Sequence, residues 1–356
     1  MSTHNYLFFV AHSYAYNILR PLQVLIRQQG GHTAWFIEST SPDLLEDDEL
    51  RLHNLAEVRR FNPRAVFAPG DWVYPFFPGI KVRVCHGYPI YKRGGSVETH
   101  FKIRGYFDIY CTSGPSSTPI FQRLQQQHQS FQVYETGWSK VDDIVTARQR
   151  RKASENTLGH RPPTIFVATT FSRHVTQLRN LLPVIDRLSK QEPWQWVITM
   201  HPKLEDPDLK AELTRLAEER SNLQFLPLTP PPSVMAQTDV MLCDSSSIIL
   251  EYMMLDLPVV TLRNTTPGPH LINVQTPDKV EEAIRIALTR PPQLMEAIHR
   301  YLDFHESHRD GHNCQRILDA VDDFQCHHQG HLKARRPNLW RSIQMYWKFM
   351  KNACLG

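Results

Sequence analysis

Short apolar runs separated by helical segments are the feature that most limits the folds open to this chain. YLFFVA (6–11), AVFAPG (65–70), VRVCHG (82–87) and FDIYCTSG (107–114) lack the regular apolar–polar alternation of a half-exposed strand. Such runs are typical of parallel strands covered by helices on both faces of a sheet. Between the first two of them, ILRPLQVLIRQQGG (18–31) has helical spacing and ends on glycine. The pattern predicts an α/β fold with doubly wound parallel sheets.

The same pattern restarts after a polar stretch. TARQRRKASENTLGHRPP (146–163) is charged, then polar and then proline-rich, which is typical of a linker. Beyond it, TIFVATT (164–170), WQWVITMHP (194–202) and DVMLCDSS (239–246) again have the composition of buried strands. The last of these runs leads into a helix predicted from about Ser247 to Leu255. The chain therefore contains two α/β series of similar size.

The length of the chain agrees with two domains, because 356 residues exceed the size at which one hydrophobic core usually stops growing. We expect an N-terminal Rossmann-like domain over residues 1–155, a C-terminal one over 163–325 and a basic aromatic tail over 326–356. Ligands of open parallel sheets bind beyond the carboxyl ends of the strands. We therefore expect a site in a cleft that the two domains face.

Composition favours a soluble globular protein of a reducing cytoplasm. Hydrophobic residues make up 41% and charged residues 21% of the chain, and no apolar run approaches the length of a bilayer span. MSTHNYLFFVA at the N-terminus has no basic region before its apolar patch, so we expect a first strand and not a signal peptide. The six cysteines are irregularly spaced, and several lie in strand-like runs as small buried residues do.

A run of serines follows an aspartate at the end of one predicted strand. Asp244, Ser245, Ser246 and Ser247 close the run DVMLC and open a helix. A plain helix cap would explain one serine. Three hydroxyls beside the free N–H groups at the start of a helix favour binding of a phosphate.

Two histidines also stand at predicted strand ends, one in each half of the chain. His86, followed by Gly87, ends VRVC, and His201 ends WQWVITM. A neutral imidazole can take a proton from a hydroxyl at physiological pH, and a second histidine or a cation can stabilise a phosphate. Nearby cations that could serve are Lys92, Arg93, Arg173 and His174. The alternative is a structural role for each histidine and ordinary solvated charges.

Six motifs occur in order between about residues 80 and 321. They are CHGYPIYK (85–92), TGWSKVDDI (136–144), ATTFSR (168–173), MHP (200–202), CDSSSIILEYMMLDLPVV (243–260) and RDGHNCQRILDAV (309–321). As an ordered set they resemble the CDP-glycerol glycerophosphotransferase family, the teichoic-acid-type polymerases and primases. The chain departs from the family pattern at Cys85, where an aromatic residue is usual, at Glu251, which is often Asp, and at Ser172, which precedes Arg173.

The resemblance implies a GT-B fold and transfer of glycerol phosphate, or a related alditol phosphate, from CDP-glycerol to an acceptor hydroxyl, with release of CMP. The acceptor would be a lipid-linked or polysaccharide chain of the cell envelope. By this resemblance the catalytic residues are His86 and His201. The residues that bind the donor nucleotide and its phosphates are Arg173, Asp244, Ser245, Ser246, Ser247 and Glu251. Acceptor or phosphate contacts are expected from Gly87, Lys92 and Lys140, and neither a metal nor another cofactor is expected.

Two alternatives remain on the same architecture. One is a nucleotide-sugar glycosyltransferase or 2-epimerase, which would bind UDP- or GDP-sugars instead of CDP-alditols. The other is a non-catalytic binding protein, against which the retention of His86, His201 and the serine run argues. Nucleic-acid binding is not expected, because the basic residues belong to no recognised module.

The C-terminal segment has an unusual charge pattern. No acidic residue follows Asp323, and in RRPNLWRSIQMYWKFMK (335–351) a helix would place Trp340, Ile343, Trp347 and Met350 on one face. A basic amphipathic helix with tryptophans suits an anionic membrane surface, which predicts a cytoplasmic protein that is peripheral on the membrane. The alternative is a final helix that packs back on the first domain.

Histidines and cysteines crowd residues 305–331. They are His305, His308, His312, Cys314, Cys326, His327, His328 and His331. Their spacing matches no zinc-binding pattern, and paired C-x-x-C motifs are absent from the sequence. We therefore expect a polar loop around the Asp310-Gly311 turn and no metal site.

Overall fold

The protein forms two compact α/β units. The computed structural model describes residues 4–88, 101–155, 161–172, 174–201, 203–228, 230–334, 343–347 and 349–350. The first unit contains the described residues among 4–142 and 305–350, and the second contains those among 143–304.

Each unit is built on a parallel sheet. Described strands of the first sheet are β1 (Asn5–Val10), β2 (His32–Ile37), β3 (Ala65–Ala68), β4 (Ile80–Arg83), β5 (Ile109–Thr112) and β6 (Gln132–Glu135). Those of the second sheet are β7 (Thr164–Ala168), β8 (Gln195–Thr199), β9 (Leu223–Leu226), β10 (Val240–Cys243), β11 (Val259–Leu262) and β12 (Ile272–Val274). All pairings between these strands are parallel.

Helices cover the sheets. They are α1 (Tyr14–Gln28), α2 (Leu55–Phe61), α3 (Thr118–His128), α4 (Val141–Glu155), α5 (Leu178–Gln191), α6 (Pro207–Glu219), α7 (Pro232–Met235), α8 (Ile248–Met253), α9 (Val280–Leu288), α10 (Pro292–His305) and α11 (Asn313–His327), with a 3₁₀ turn at Pro277–Lys279. Helix α1 shows why they dock: its residues Ile18, Leu19, Leu22 and Ile26 lie on one face and are buried.

The order of the strands fixes where ligands are expected. The first sheet runs β2-β1-β3-β4-β5-β6 and the second runs β12-β11-β10-β7-β8-β9. The order reverses between β1 and β3 in the first sheet and between β7 and β10 in the second. Crevices at the carboxyl ends of strands on either side of such a reversal are the usual ligand sites of open α/β sheets. The prediction of two doubly wound, Rossmann-like units is confirmed.

The predicted linker over 146–163 is wrong in its first part. Residues 146–155 belong to α4, whose first turns bury Val141, Ile144 and Val145. The guanidinium group of Arg151, which looks like a linker charge, donates to the backbone carbonyl of Ala236 (2.7 Å). A long polar side chain can thus stabilise the packing of a helix that has few apolar residues.

The predicted polar loop around the Asp310-Gly311 turn is also wrong in part, since α11 occupies much of that region. Its inward face carries the buried side chains of Cys314, Ile317, Leu318, Val321 and Phe324. The carboxylate of Asp142 caps this helix by accepting the backbone N–H groups of Asn313 (2.9 Å) and Cys314 (2.8 Å). Because α11 packs on the first unit, the chain crosses back to that unit at residue 305, and not at the boundary expected near 325.

The described part of the tail is helical at 343–347 and 349–350. Phe349 is buried in the aromatic core of the first unit, with its ring 5.0 Å from that of Tyr74. Ile343, Trp347 and Met350 are exposed. Trp340, the fourth residue of the predicted apolar face, lies outside the described residues. No helix among the described residues is long and apolar enough to span a bilayer.

Candidate functional site

Three loops at the carboxyl edge of the second sheet are rich in hydroxyl groups. They follow the adjacent strands β7, β10 and β11 and comprise residues 169–172, 245–247 and 264–270. Together they contain eight serine or threonine residues, and the one carboxylate beside them, that of Asp244 directly after β10, is buried. With His201, which follows β8, these loops are called here the hydroxyl-rich edge. It lies at the reversal of strand order, where a ligand of this fold is expected.

Asp244 binds the loops of this edge together. It is completely buried, and its carboxylate accepts the backbone N–H groups of Thr170 (2.9 Å), Gln177 (3.2 Å) and Ser245 (2.6 Å). Its backbone carbonyl accepts from the amide of Asn264 (2.6 Å). A buried carboxylate with several charge-assisted hydrogen bonds is a strong structural anchor. Asp244 therefore holds the loops after β7, β10 and β11 in register.

The three serines that follow Asp244 differ in exposure. Ser245 is buried, and its Oγ accepts the backbone N–H of Thr265 (2.9 Å). Ser246 is half-buried and Ser247 is exposed. Ser247 occupies the cap position of α8 but makes no capping hydrogen bond with its side chain. A plain capping role therefore does not explain Ser247, and of the three serines Ser246 and Ser247 are the ones accessible to solvent.

A small hollow lies under this edge. It has a volume of about 20 Å³ and is lined in part by Ser245, Asn264, His270 and Tyr301. The rings of His270 and Tyr301 stack with their centroids 3.7 Å apart. Such a volume holds about one water molecule. A ligand larger than a water molecule therefore does not fit inside this hollow.

His201 is half-buried at the end of β8. Its ring lies 4.7 Å from the ring of Phe171, and its Nδ1 accepts the backbone N–H of Lys203 (3.1 Å). In the neutral ring this acceptor role assigns the proton to Nε2. His201 is thus set up as a hydrogen-bond donor, which suits contact with phosphate oxygens.

The remaining residues predicted to bind the donor substrate or its phosphates add little to the description of the site. Glu251 is half-buried in the first turn of α8. Arg173 lies outside the described residues, and so do Lys92 and Arg93.

His86 is exposed in the first unit, three residues beyond the end of β4. Its ring stacks on that of Tyr14 at 6.1 Å, and Tyr14 in turn lies 5.5 Å from His12. Burial and the nearby charge of Asp71 raise the pKa of Tyr14, so its hydroxyl stays protonated at neutral pH. His12 and Tyr14 were not predicted as neighbours of His86, although HSY directly follows the first apolar run.

Gly87 has a backbone φ of +140°, which residues with a side chain rarely adopt, and a Cβ there would meet no atom within 4 Å. Its backbone conformation, and not crowding by protein, therefore requires glycine. Lys140 lies in the first unit with its Nζ 5.5 Å from the Trp138 ring, and it is half-buried.

Two buried ionisable residues lie next to the segment that carries His86. Burial raises the pKa of Glu306 to about 8 and lowers that of His305 to about 4. Glu306 is bonded to Tyr88, and His305 lies 3.2 Å from the Oγ of Ser116. The sequence pattern predicted a polar loop in this region and did not indicate a buried role for Glu306.

No group of three or more histidine, cysteine, aspartate or glutamate side chains in the described ranges could hold a metal ion. The histidines and cysteines of 305–331 are dispersed instead. All three of the following residues belong to α11: Cys314 is buried on its inward face, whereas Cys326 and His327 are exposed.

Comparison with known proteins gives one family match and several solved structures of the same fold. The family model for UDP-N-acetylglucosamine 2-epimerase matches residues 115–322, which is more than half of the chain. By sequence alone, no curated protein matches the chain.

Solved structures of the same fold include the wall teichoic acid polymerase TagF, with a TM-score of 0.65 and 13% identity, covering 91% of this chain and 89% of that one. MnaA of S. aureus, solved with UDP, has a TM-score of 0.59 and 12% identity over 90% and 97% of the two chains. A putative UDP-N-acetylglucosamine 2-epimerase from Listeria monocytogenes has a TM-score of 0.57 and 12% identity over 91% and 97%.

These structures confirm the predicted GT-B-type fold. At such low sequence identities, they show a shared fold and nothing about activity. The family model that matches is a different one from the predicted CDP-glycerol glycerophosphotransferase family. Its match covers α3 to most of α11, and thus includes the hydroxyl-rich edge and Glu306. The chain belongs to the UDP-N-acetylglucosamine 2-epimerase family.

Proposed function

We propose that the protein is an enzyme that acts on a nucleoside-diphosphate-linked substrate, and that the hydroxyl-rich edge holds the diphosphate. One observation carries this proposal: three loops with eight hydroxyl residues, whose one carboxylate (Asp244) is buried, meet beside His201. Hydroxyl groups and the imidazole Nε2–H donate hydrogen bonds that phosphate oxygens accept, while a carboxylate would repel them. Ligands of structures with this fold support it, since one TagF variant was soaked with CDPG and MnaA was solved with UDP.

For the reaction, we propose transfer of an alditol phosphate, with CDP-glycerol as the donor. The oxygen of an acceptor hydroxyl forms a bond to the β-phosphorus, the bond between that phosphorus and the bridging oxygen breaks, and CMP leaves with the bridging oxygen. The hydroxyl proton passes to a base. The order of the six sequence motifs and the fold shared with TagF support this donor. The acceptor that we propose is a hydroxyl of a lipid-linked or polysaccharide envelope polymer.

The proposed roles follow from what each group can do. His86, an exposed imidazole, takes the proton of the acceptor hydroxyl. His201 donates from Nε2 to the diphosphate, with Ser246 and Ser247 beside it. Asp244 positions these groups from below without facing solvent. Arg173, Ser245, Glu251, Gly87, Lys92 and Lys140 stay predicted contacts of the donor or the acceptor.

A second candidate is epimerisation of UDP-N-acetylglucosamine, which the family match favours. Epimerisation removes and returns a proton on a sugar carbon, and this requires acid and base groups at that carbon. Because the one carboxylate of the loops of the hydroxyl-rich edge, that of Asp244, is buried, their composition suits the binding of a diphosphate better than acid–base chemistry on a sugar. This difference is our reason for placing phosphate transfer first.

Product analysis separates the two candidates. Purified protein is incubated with UDP-N-acetylglucosamine alone, and with CDP-glycerol plus a bacterial membrane fraction that supplies acceptors. We expect CMP and labelled glycerol phosphate in the polymer fraction, and no UDP-N-acetylmannosamine by ¹H NMR. Formation of UDP-N-acetylmannosamine, with CDP-glycerol left intact, would replace the transfer proposal by the epimerase.

We also propose that the tail binds an anionic membrane surface, which would make the protein peripheral on the cytoplasmic face. Phe349 fastens the helical segment to the first unit, while the Trp347 side chain is 66% exposed. The neighbouring sequence is basic and lacks acidic residues, so its charge is complementary to that of anionic lipid.

Replacing Trp347 by alanine is expected to reduce binding to phosphatidylglycerol vesicles about tenfold, because a large aromatic side chain no longer enters the interface. Sedimentation with vesicles measures the bound fraction, and added salt should weaken binding of the wild type. The control is Phe304→Ala, which removes a similarly exposed ring from the second unit. Equal losses from both variants, or none from either, would contradict the role of the tail.

A further inference from the structure

One buried carboxyl group connects the segment that carries His86 to two other parts of the first unit. Glu306 has no exposed surface. Its Oε2 accepts from the hydroxyl of Tyr88 (2.8 Å) and from the backbone N–H of Trp138 (3.2 Å). Its Oε1 accepts from the side-chain amide of Asn313 (3.2 Å). A single side chain thus joins the loop after β4, the loop after β6 and the start of α11.

The fit around Glu306 leaves no spare room at Gly137. That residue has a φ of +78°, and a Cβ on it would lie 2.5 Å from Oε1 of Glu306 and 2.3 Å from Nδ2 of Asn313. Both the backbone conformation and the close approach therefore require glycine. Glu306 sits in a closely packed site whose hydrogen bonds have little freedom to rearrange.

Tyr88 is held on both sides of its ring. The ring meets that of Trp138 edge-on at 5.5 Å and that of His305 at 6.0 Å, and its hydroxyl reaches Glu306. At the other end of the segment, the N–H of Val84 donates to the carbonyl of Ala68 (3.1 Å). Residues 84–88 are thus fixed at both ends, with the exposed His86 between the two attachments.

We propose that Glu306 is a positioning residue that, through the hydroxyl of Tyr88, fixes the segment 84–88 and with it the imidazole of His86. The inference rests on the proposed role of His86 as the group that takes the acceptor proton, and deepens it. A misplaced base slows proton transfer without weakening the binding of the nucleotide, because Glu306 and Tyr88 lie in the first unit and the hydroxyl-rich edge lies in the second.

Tyr88→Phe tests this inference, because it removes one hydroxyl and leaves the ring. Its matched control is Tyr134→Phe, which deletes another phenol–carboxylate hydrogen bond of the first unit, from Tyr134 to Asp323 (2.5 Å). Amide hydrogen exchange of residues 84–88 and steady-state turnover are measured for both variants and the wild type. We expect exchange at 84–88 to rise about tenfold in Tyr88→Phe and to stay unchanged in Tyr134→Phe.

Turnover should follow the same division. We expect Tyr88→Phe to lower kcat about tenfold with an unchanged KM for the nucleotide, while Tyr134→Phe keeps wild-type values. Exchange at 84–88 within twofold of wild type would overturn the inference, and so would faster exchange with unchanged kcat. A wild type that turns over no CDP-glycerol would defeat the proposed function alone. The exchange comparison would then decide whether Tyr88 and Glu306 hold the segment.

Discussion

Replacing His86 by alanine is expected to lower kcat for CMP formation from CDP-glycerol by about 10²–10⁴-fold, the usual contribution of a general base. The imidazole is exposed within a segment that is fixed at both ends, and a neutral imidazole can take a proton from a hydroxyl near neutral pH. Initial rates of CMP release, measured at saturating donor, report this loss.

The control for this variant is His53→Ala, which removes an exposed imidazole from the same unit. It should keep wild-type turnover. Because the proposed nucleotide contacts lie in the second unit, His86→Ala should also keep the thermal stabilisation given by CMP. Turnover near the wild-type rate in a folded His86→Ala protein would contradict the assignment of the base.

Asp244→Ala is expected to lower the free energy of unfolding of the second unit by about 3–5 kcal/mol, because three backbone N–H groups, two of them in buried hydrogen bonds, lose their carboxylate acceptor. The loops after β7 and β10 lose their common anchor at the same time. The thermal stabilisation by nucleotides should therefore disappear as well. Urea unfolding followed by tryptophan fluorescence measures the first effect, since Trp194 and Trp196 are buried in this unit.

Asp206→Ala is the matched control for this prediction. Asp206 caps α6 by accepting the N–H of Leu209 (3.1 Å) and pairs with Arg179. Removing a cap of this kind costs about 1 kcal/mol. If Asp244→Ala costs no more than Asp206→Ala, then Asp244 does not anchor the hydroxyl-rich edge.

The strands of both units could be predicted because parallel strands buried on two faces must be apolar almost throughout. TIFVATT contains β7, and WQWVITMHP contains β8. The ends of the strands were less accurate, since apolar residues continue into the loops. VRVCHG contains the end of β4, but the strand stops at Arg83 and leaves His86 on a loop.

Features that depend on distant partners were not predictable from the sequence pattern. The helix over 146–155 is polar, and its Arg151 finds its acceptors about 85 residues away in the chain, at Ala236 and Thr238. The role of Asp244 was predicted to be contact with the donor. In the structure it is buried and accepts the backbone N–H groups of Thr170 and Gln177. These hydrogen bonds depend on tertiary packing and leave no pattern in the sequence.

The buried role of Glu306 in the first unit was not predictable for the same reason. A glutamate next to histidines in a polar stretch reads as a solvated charge, because charged side chains are almost never buried without partners. Its partners are Tyr88, Trp138 and Asn313, which come from three separate parts of the chain. The spacing of these residues in the sequence does not indicate that they are in contact.

Thermal stabilisation by nucleotides tests the central claim most directly. The melting temperature of the wild type and of a Ser246→Ala/Ser247→Ala double variant is measured with CDP-glycerol, CMP, UDP and UDP-N-acetylglucosamine. We predict that CDP-glycerol and CMP raise the melting temperature of the wild type selectively, and that the double variant loses most of this increase. Stabilisation by the uridine ligands alone would contradict the proposed donor, and no stabilisation by any of the four would contradict a nucleotide site at the hydroxyl-rich edge.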